Sequence, residues 1–207
     1  MSRFALFGPA VNMALCLAGC LAGTSQAAQP IIDNERVTVW DLAWRQGAAT
    51  ALPAHTHDFV TVYLAAGANG PHKKGDVVYA HAGVSKLEPG ERTVVIELKD
   101  HPVAPIPNTS GYPPAFPRPH VKKVLENGKV IVWSYAWHPG EPTPMHFHDK
   151  DVVVVYMEDT ALRSTTPDGK SVVNEYSAFQ TKFNRRDRVH SELLARGTGS
   201  AIMTELK

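Results

Sequence analysis

The chain carries one structural unit written twice. Asn34-Glu-Arg-Val-Thr-Val-Trp-Asp-Leu-Ala-Trp-Arg-Gln-Gly47 recurs as Asn127-Gly-Lys-Val-Ile-Val-Trp-Ser-Tyr-Ala-Trp-His-Pro-Gly140, at a constant offset of 93 residues. Each copy then passes a proline and reaches a His-x-His, an aspartate and a β-rich run. These are His55, His57 and Asp58 before Val60 to Leu64, and His146, His148 and Asp151 before Val152 to Tyr156. Each copy also closes alike, as Val94-Val-Ile-Glu-Leu-Lys99 and Ala201-Ile-Met-Thr-Glu-Leu-Lys207. A period this long exceeds a solenoid unit and implies two similar domains in tandem.

Both copies consist of short β-branched and aromatic runs punctuated by turn residues, as at Pro89-Gly90, Pro167-Asp168-Gly169 and Gly197-Thr198-Gly199. Runs of that kind pair as antiparallel strands. The expected fold is all-β: two tandem β-barrels of jelly-roll type with few helices. No segment after residue 30 holds a 3.6-residue apolar period for long, and Val121 to Glu126 is the best candidate for a single helical turn. Seven prolines between Asp100 and His120 exclude a central strand, because proline has no N–H to give to a ladder. The expected organisation is a signal peptide over residues 1–28, an N-terminal barrel over 29–99, a proline-rich linker over 100–126 and a C-terminal barrel over 127–207. Tyr112 and Phe116 give the linker rings with which to pack on the barrels as an ordered belt.

Charge and cysteine usage narrow the function classes. With 21 Lys+Arg against 20 Asp+Glu, net charge +1 and no basic run longer than two, nothing supplies a face for a phosphate backbone, so nucleic acid is not an expected partner. Arg3 followed by the apolar stretch Phe4 to Leu21 reads as an export signal, shorter and more broken than the ~20 apolar residues of a spanning helix. Two exits from it compete. Ser25-Gln26-Ala27 has the small-residue pattern of ordinary cleavage, giving a periplasmic or secreted product. Leu17-Ala18-Gly19-Cys20 resembles a bacterial lipobox, giving a lipoprotein whose membrane anchor is Cys20. Both cysteines, Cys16 and Cys20, fall in the leader, so the mature domain has no disulfide and no thiolate ligand. A metal there must be held by His, Asp, Glu or water, a donor set that suits Fe, Mn, Co, Ni, Cu or Zn.

His146 and His148 alternate on one predicted strand, so both imidazoles point to one face while Met145 and Phe147 point to the other. The spacing Gly140-x5-His146-x-His148, with His190 farther along, resembles the two motifs of the cupin superfamily over the C-terminal half. The resemblance implies a bicupin whose C-terminal barrel holds a divalent transition metal on His146, His148 and His190, with open positions for water, dioxygen or a bidentate substrate. The sequence departs from the family at the carboxylate, whose expected place is Val152. Asp151 would replace it if a bulge re-aimed its side chain. Glu192, alternating with His190, is a second candidate, and a three-histidine site completed by water is the third.

The N-terminal copy keeps His55 and His57 but has Ser85 or Lys86 in the third position, with His81 as a substitute. Its expected role is structural, completing a two-barrel core and covering sheet edges. Trp40, Trp44, Trp133 and Trp137 recur at matched positions, which favours core packing over stacking on a ligand. Arg163, Arg185, Arg186 and Arg188 are either a carboxylate-binding group or a solvated rim, the rim being the commoner case.

The leading functional expectation is an exported metal-dependent oxidoreductase, similar to the dioxygenase branch that includes quercetinase-like enzymes. A small substrate would place an enolate or carboxylate oxygen on the metal beside dioxygen, in a barrel for whose lining Met145, Tyr156 and Phe179 are the candidates, which of them face inward being left open by the sequence. Asp151 and Tyr156 are the candidate catalytic residues, with Glu192 as a further base. The alternatives are a non-catalytic periplasmic module that binds a metal or small ligand, and metal-assisted isomerase or hydrolase chemistry. Two barrels in one chain are compatible with a monomer or a homodimer.

Overall fold

The computed structural model describes residues 28–43, 54–84, 87–101, 103 and 106–207. The expected leader, with Cys16, Cys20 and both exit patterns, falls on residues outside the described ones, as do Trp44, Ser85 and Lys86. Among the described residues there is no α-helix, and all regular structure is β. The N-terminal half forms β1 (Ile32–Asp33), β2 (Val37–Ala43), β3 (Ala54–His55), β4 (Phe59–Ala65), β5 (Val77–Ala80), β6 (Gly83–Val84) and β7 (Arg92–Leu98). The C-terminal half forms β8 (Val121–Glu126), β9 (Val130–Trp137), β10 (His146–His148), β11 (Asp151–Tyr156), β12 (Thr160–Thr165), β13 (Ser171–Tyr176), β14 (Thr181–Asn184), β15 (Arg188–Gly197) and β16 (Gly199–Leu206).

The repeat reappears as strand order. One five-stranded sheet runs β1-β2-β7-β4-β5 and the other β8-β9-β16-β11-β14, with matching strands in matching places. The halves differ in what covers these sheets. In the C-terminal half a second sheet, β10-β15-β12-β13, closes a barrel; in the N-terminal half its counterpart is the short pair β3-β6. No described residues correspond to the β12-β13 hairpin, because β4 leads directly to β5.

The two five-stranded sheets pack face to face, and strand alternation sorts their residues. Val39, Val62 and Ile96 from one half meet Val132, Val153, Val155 and Ile202 from the other in a shared core. The intervening residues point away from this seam. Trp133, Tyr135, Val152, Val154 and Tyr156 fill the C-terminal barrel, and Trp40, Leu42, Phe59 and Val95 make a smaller cluster in the N-terminal half. Strands buried on both faces need continuous apolar runs, which accounts for Val152-Val-Val-Val-Tyr156.

Val121–Glu126, expected as the end of the linker and as a helical turn, is strand β8, paired antiparallel with β9. A lone turn has too few hydrogen bonds to offset its ordering, whereas the free edge of β9 supplies a complete ladder. The preceding proline-rich stretch lies along the C-terminal barrel. Ala115 N–H donates to Phe147 O and Phe147 N–H to Pro113 O, both at 2.8 Å, and Phe116 stacks on Trp133 with ring centroids 5.2 Å apart. Tyr112 stays exposed.

At the edge of the shared core, Arg36 donates from Nη1 to Asp151 Oδ2 at 2.8 Å and from Nη2 to Lys207 O at 3.0 Å. Both side chains of this ion pair are buried. A buried pair contributes little net stability, but removing one partner leaves the other charge stranded. Arg36→Met is expected to lower the unfolding free energy by about 3–5 kcal/mol in urea denaturation, and Arg36→Met/Asp151→Leu to recover most of that loss.

Candidate metal centre

β10 pairs antiparallel with β15, with His146 opposite His190 and His148 opposite Arg188. Residues directly opposite on paired strands share a face, so His146, His148, Arg188, His190 and Glu192 all project into the C-terminal barrel. The Nε2 atoms of His146 and His148 lie 3.2 Å apart and those of His148 and His190 3.1 Å, and one ligand atom from each of the three falls within 4.8 Å of the others. A zinc-like divalent ion sits ~2.0–2.1 Å from each imidazole nitrogen, which places neighbouring donors roughly 3 Å apart. The three histidines fit a divalent metal. Their far nitrogens are held from outside: His146 Nδ1–H donates to Pro144 O at 2.7 Å and His190 Nδ1 shares a 3.3 Å hydrogen bond with Ser164 Oγ, leaving both Nε2 atoms facing inward. The buried His148 Nδ1 has no protein hydrogen-bond partner.

Burial lowers the pKa of His146 and His190 to about 3, with Arg118 adding to the effect at His146 and Arg188 and Arg118 at His190. Burial, then Arg188, holds His148 well below the ordinary histidine range. All three are neutral at physiological pH, the form that coordinates a metal.

A residue from the proline-rich stretch completes the interior. Arg118 Nη1 donates to His146 Nε2 at 3.0 Å. Its guanidinium lies 4.2 Å from the centroid of Tyr135 and 4.8 Å from that of Phe116, and Nη2 is 3.9 Å from Glu192 Oε2. Glu192 also accepts the Trp137 indole N–H at 3.1 Å. Arg118 was not among the expected site residues. The available signal was a lone cation between two prolines, Pro117 and Pro119, beside an aromatic residue.

Asp151, expected as a ligand and catalytic group, does not join the histidines. The β11–β16 register runs without a shift from Asp151 to Tyr156, so no bulge re-aims its side chain. Asp151 therefore shares the seam face with Val153 and Val155, where Arg36 holds Oδ2 and the Arg186 backbone N–H donates to Oδ1 at 2.8 Å. The inward residue is Val152. Tyr156 does face the interior, stacked 3.9 Å from Tyr176, and burial pushes its phenol pKa up, so it keeps its proton. Phe179, expected to line the barrel, packs on the seam core instead, with the Arg92 guanidinium 4.9 Å from its centroid. Arg163 and Arg185 are exposed, Arg185 pairing with Glu35 at 3.2 Å, while Arg188 alone of the expected four joins the histidines' face.

In the N-terminal half the β3–β6 register sets Gly83 opposite His55, the place His190 takes opposite His146. The third position is thus glycine rather than Ser85 or Lys86. His55 lies between Trp40 and Phe59, at 4.9 and 4.4 Å between centroids, and His57 Nδ1 is 3.2 Å from Glu97 Oε1. His81 is exposed beside Asp58. Among the described residues, only the C-terminal histidines form a metal-ligand group.

No family model matches the sequence, and no curated protein matches it. Solved structures do. A cupin 2 conserved barrel domain protein from Leptotrichia buccalis is 10% identical, with 87% of this chain and 88% of that one covered at a TM-score of 0.52. Oxalate decarboxylase from Bacillus subtilis is 11% identical, with 84% and 69% covered at 0.55. A cupin domain from Bordetella pertussis is 26% identical over 46% of this chain and 96% of its own, at 0.40. The chain has the cupin fold. It is a bicupin-like form of that fold, with a complete barrel holding the three-histidine group in its C-terminal half.

Because His146 and His190 titrate near 3 when folded and near 6.5 when unfolded, the unfolded chain takes up protons first as pH falls. Their contribution to stability is full above pH 6.5 and is lost progressively toward pH 3. For chelator-treated protein, the urea midpoint is expected to fall from pH 7.5 to pH 4.5, and less steeply in His146→Gln/His190→Gln.

Proposed function

We propose that the protein is an exported metal-dependent oxidoreductase of dioxygenase type, acting on a small organic substrate in its C-terminal barrel. One observation carries this reading: three inward, neutral imidazoles converge with no carboxylate among them. A divalent ion on such a set keeps its full positive charge and supplies strong Lewis acidity toward an anionic oxygen. Fe, Mn, Co, Ni, Cu and Zn all suit imidazole donors. Manganese is the first to try, because the solved structure of the Bacillus subtilis neighbour concerns Mn(II) centres.

The chain's own side chains do the remaining work. The Pro144 carbonyl and Ser164 hydroxyl hold two imidazoles in their coordinating orientation. Phe116, Trp137, Tyr156 and Leu162 line the interior and exclude water, which strengthens every electrostatic contact inside. Isomerase or hydrolase chemistry needs a general base, and the candidates serve it poorly. Asp151 faces the seam, Tyr156 keeps its proton, and Glu192 is held by Trp137. The non-catalytic binding module keeps one observation in its favour, the near-complete burial of His146 and His148 at 3% and 6% exposure. Export rests on the Arg3 and Phe4 to Leu21 pattern, with Cys20 as the lipidation site if the lipobox is used.

Elemental analysis of the purified protein is expected to find about one equivalent of a first-row metal, retained in Asp151→Asn and lost in His146→Ala/His148→Ala. The loaded protein is expected to consume dioxygen with enolic or phenolic substrates. Bound metal without dioxygen uptake on any of them would favour the binding module, and absence of metal after reconstitution would overturn the reading.

A further inference from the structure

The charge around the three histidines bears on what the site can hold. Arg118 and Arg188 both face them, and the acids on that side are Glu192, 3.9 Å from Arg118, and the buried Glu205, which accepts the Trp133 indole N–H. The two acids at most balance the two arginines, so a divalent cation adds positive charge that these acids do not offset, and buried charge without a partner is costly. Arg118 hydrogen-bonds His146 and the Tyr135 side chain but keeps one donor unused. Its side chain is 6% exposed, and its buried Nε has no hydrogen-bond partner. Two aromatic faces hold its head in place while its Nη1 uses the His146 Nε2 lone pair that a metal ion would need.

We propose that Arg118 and Arg188 form a carboxylate clamp facing the metal position, so that the ligand of this site is a small organic acid rather than a neutral molecule. This rests on the metal reading above and specifies the substrate class. A guanidinium offers two parallel N–H donors that match a carboxylate, and two guanidiniums facing one ion match a ligand that also gives the metal an oxygen. The arrangement makes Arg118 serve two opposed demands. It competes with a cation for His146 and repels it, and it attracts the anion that follows.

That opposition yields a signature that loss of packing would not produce. Arg118→Met keeps an unbranched apolar stem between Tyr135 and Phe116 but removes the charge and the donors. In cobalt-loaded protein, malonate is expected to shift the visible Co(II) spectrum while malonamide does not. Arg118→Met is expected to bind cobalt several-fold more tightly and malonate at least ten-fold more weakly. Arg188→Gln should weaken malonate similarly, with one equivalent of cobalt retained, and Arg118→Lys should fall between wild type and Met. Equal response to malonate and malonamide, or unchanged malonate affinity in both variants, would overturn the clamp while leaving the metal site standing. If the wild type takes up no cobalt, the metal reading fails. The clamp is then judged by whether malonate raises the melting temperature of the wild type and not of Arg118→Met, and no such rise would overturn it too.

Discussion

The central sheets of this protein are buried on both faces, and almost everything else follows from that constraint. Each residue of β2, β4, β7, β9, β11 and β16 must face either the seam between the halves or the interior of its own half, with no solvent side in between. In β11 the odd positions meet the N-terminal sheet and the even positions fill the C-terminal barrel. Because period-2 alternation is rigid, Asp151 is committed to the seam as firmly as Val153. It becomes half of an ion pair that ties the two halves together rather than part of the histidine group.

The same constraint shows how one repeated pattern supports two outcomes. Glu97 and Glu205 occupy equivalent positions in β7 and β16, each pointing away from the seam. Glu205 accepts the Trp133 indole N–H at 2.8 Å, whereas Glu97 takes the backbone and ring of His57. Among the described residues the N-terminal half has no counterpart of the β12-β13 hairpin, carries glycine opposite His55, and has its His-x-His absorbed into local packing and hydrogen bonding. What it retains is the seam face, without which the C-terminal sheet would expose Val132, Val153, Val155 and Ile202 to water.

Much of this was legible in the residues. The 93-residue repeat, the punctuated β runs and the His-x-His spacing led to duplicated β-barrels and to the three histidines, because repeats and alternation are local patterns. The parts that escaped depend on pairing partners. Whether Val121–Glu126 is strand or turn is decided by the open edge of β9, and whether Asp151 faces in or out is decided by an unbroken register with β16. Arg118 escaped because its segment has no ladder periodicity. Its place is fixed by proline geometry and by two backbone hydrogen bonds between residues 113–115 and Phe147.

The most direct test of a single three-histidine centre is an anomalous diffraction map from crystals of the manganese- or cobalt-loaded protein, recorded across the metal's absorption edge. One peak per chain, bonded to the Nε2 atoms of His146, His148 and His190, with Asp151 still paired to Arg36, is the predicted result. A peak bound by Asp151, a peak at His55 and His57, or no peak at the C-terminal histidines would contradict it.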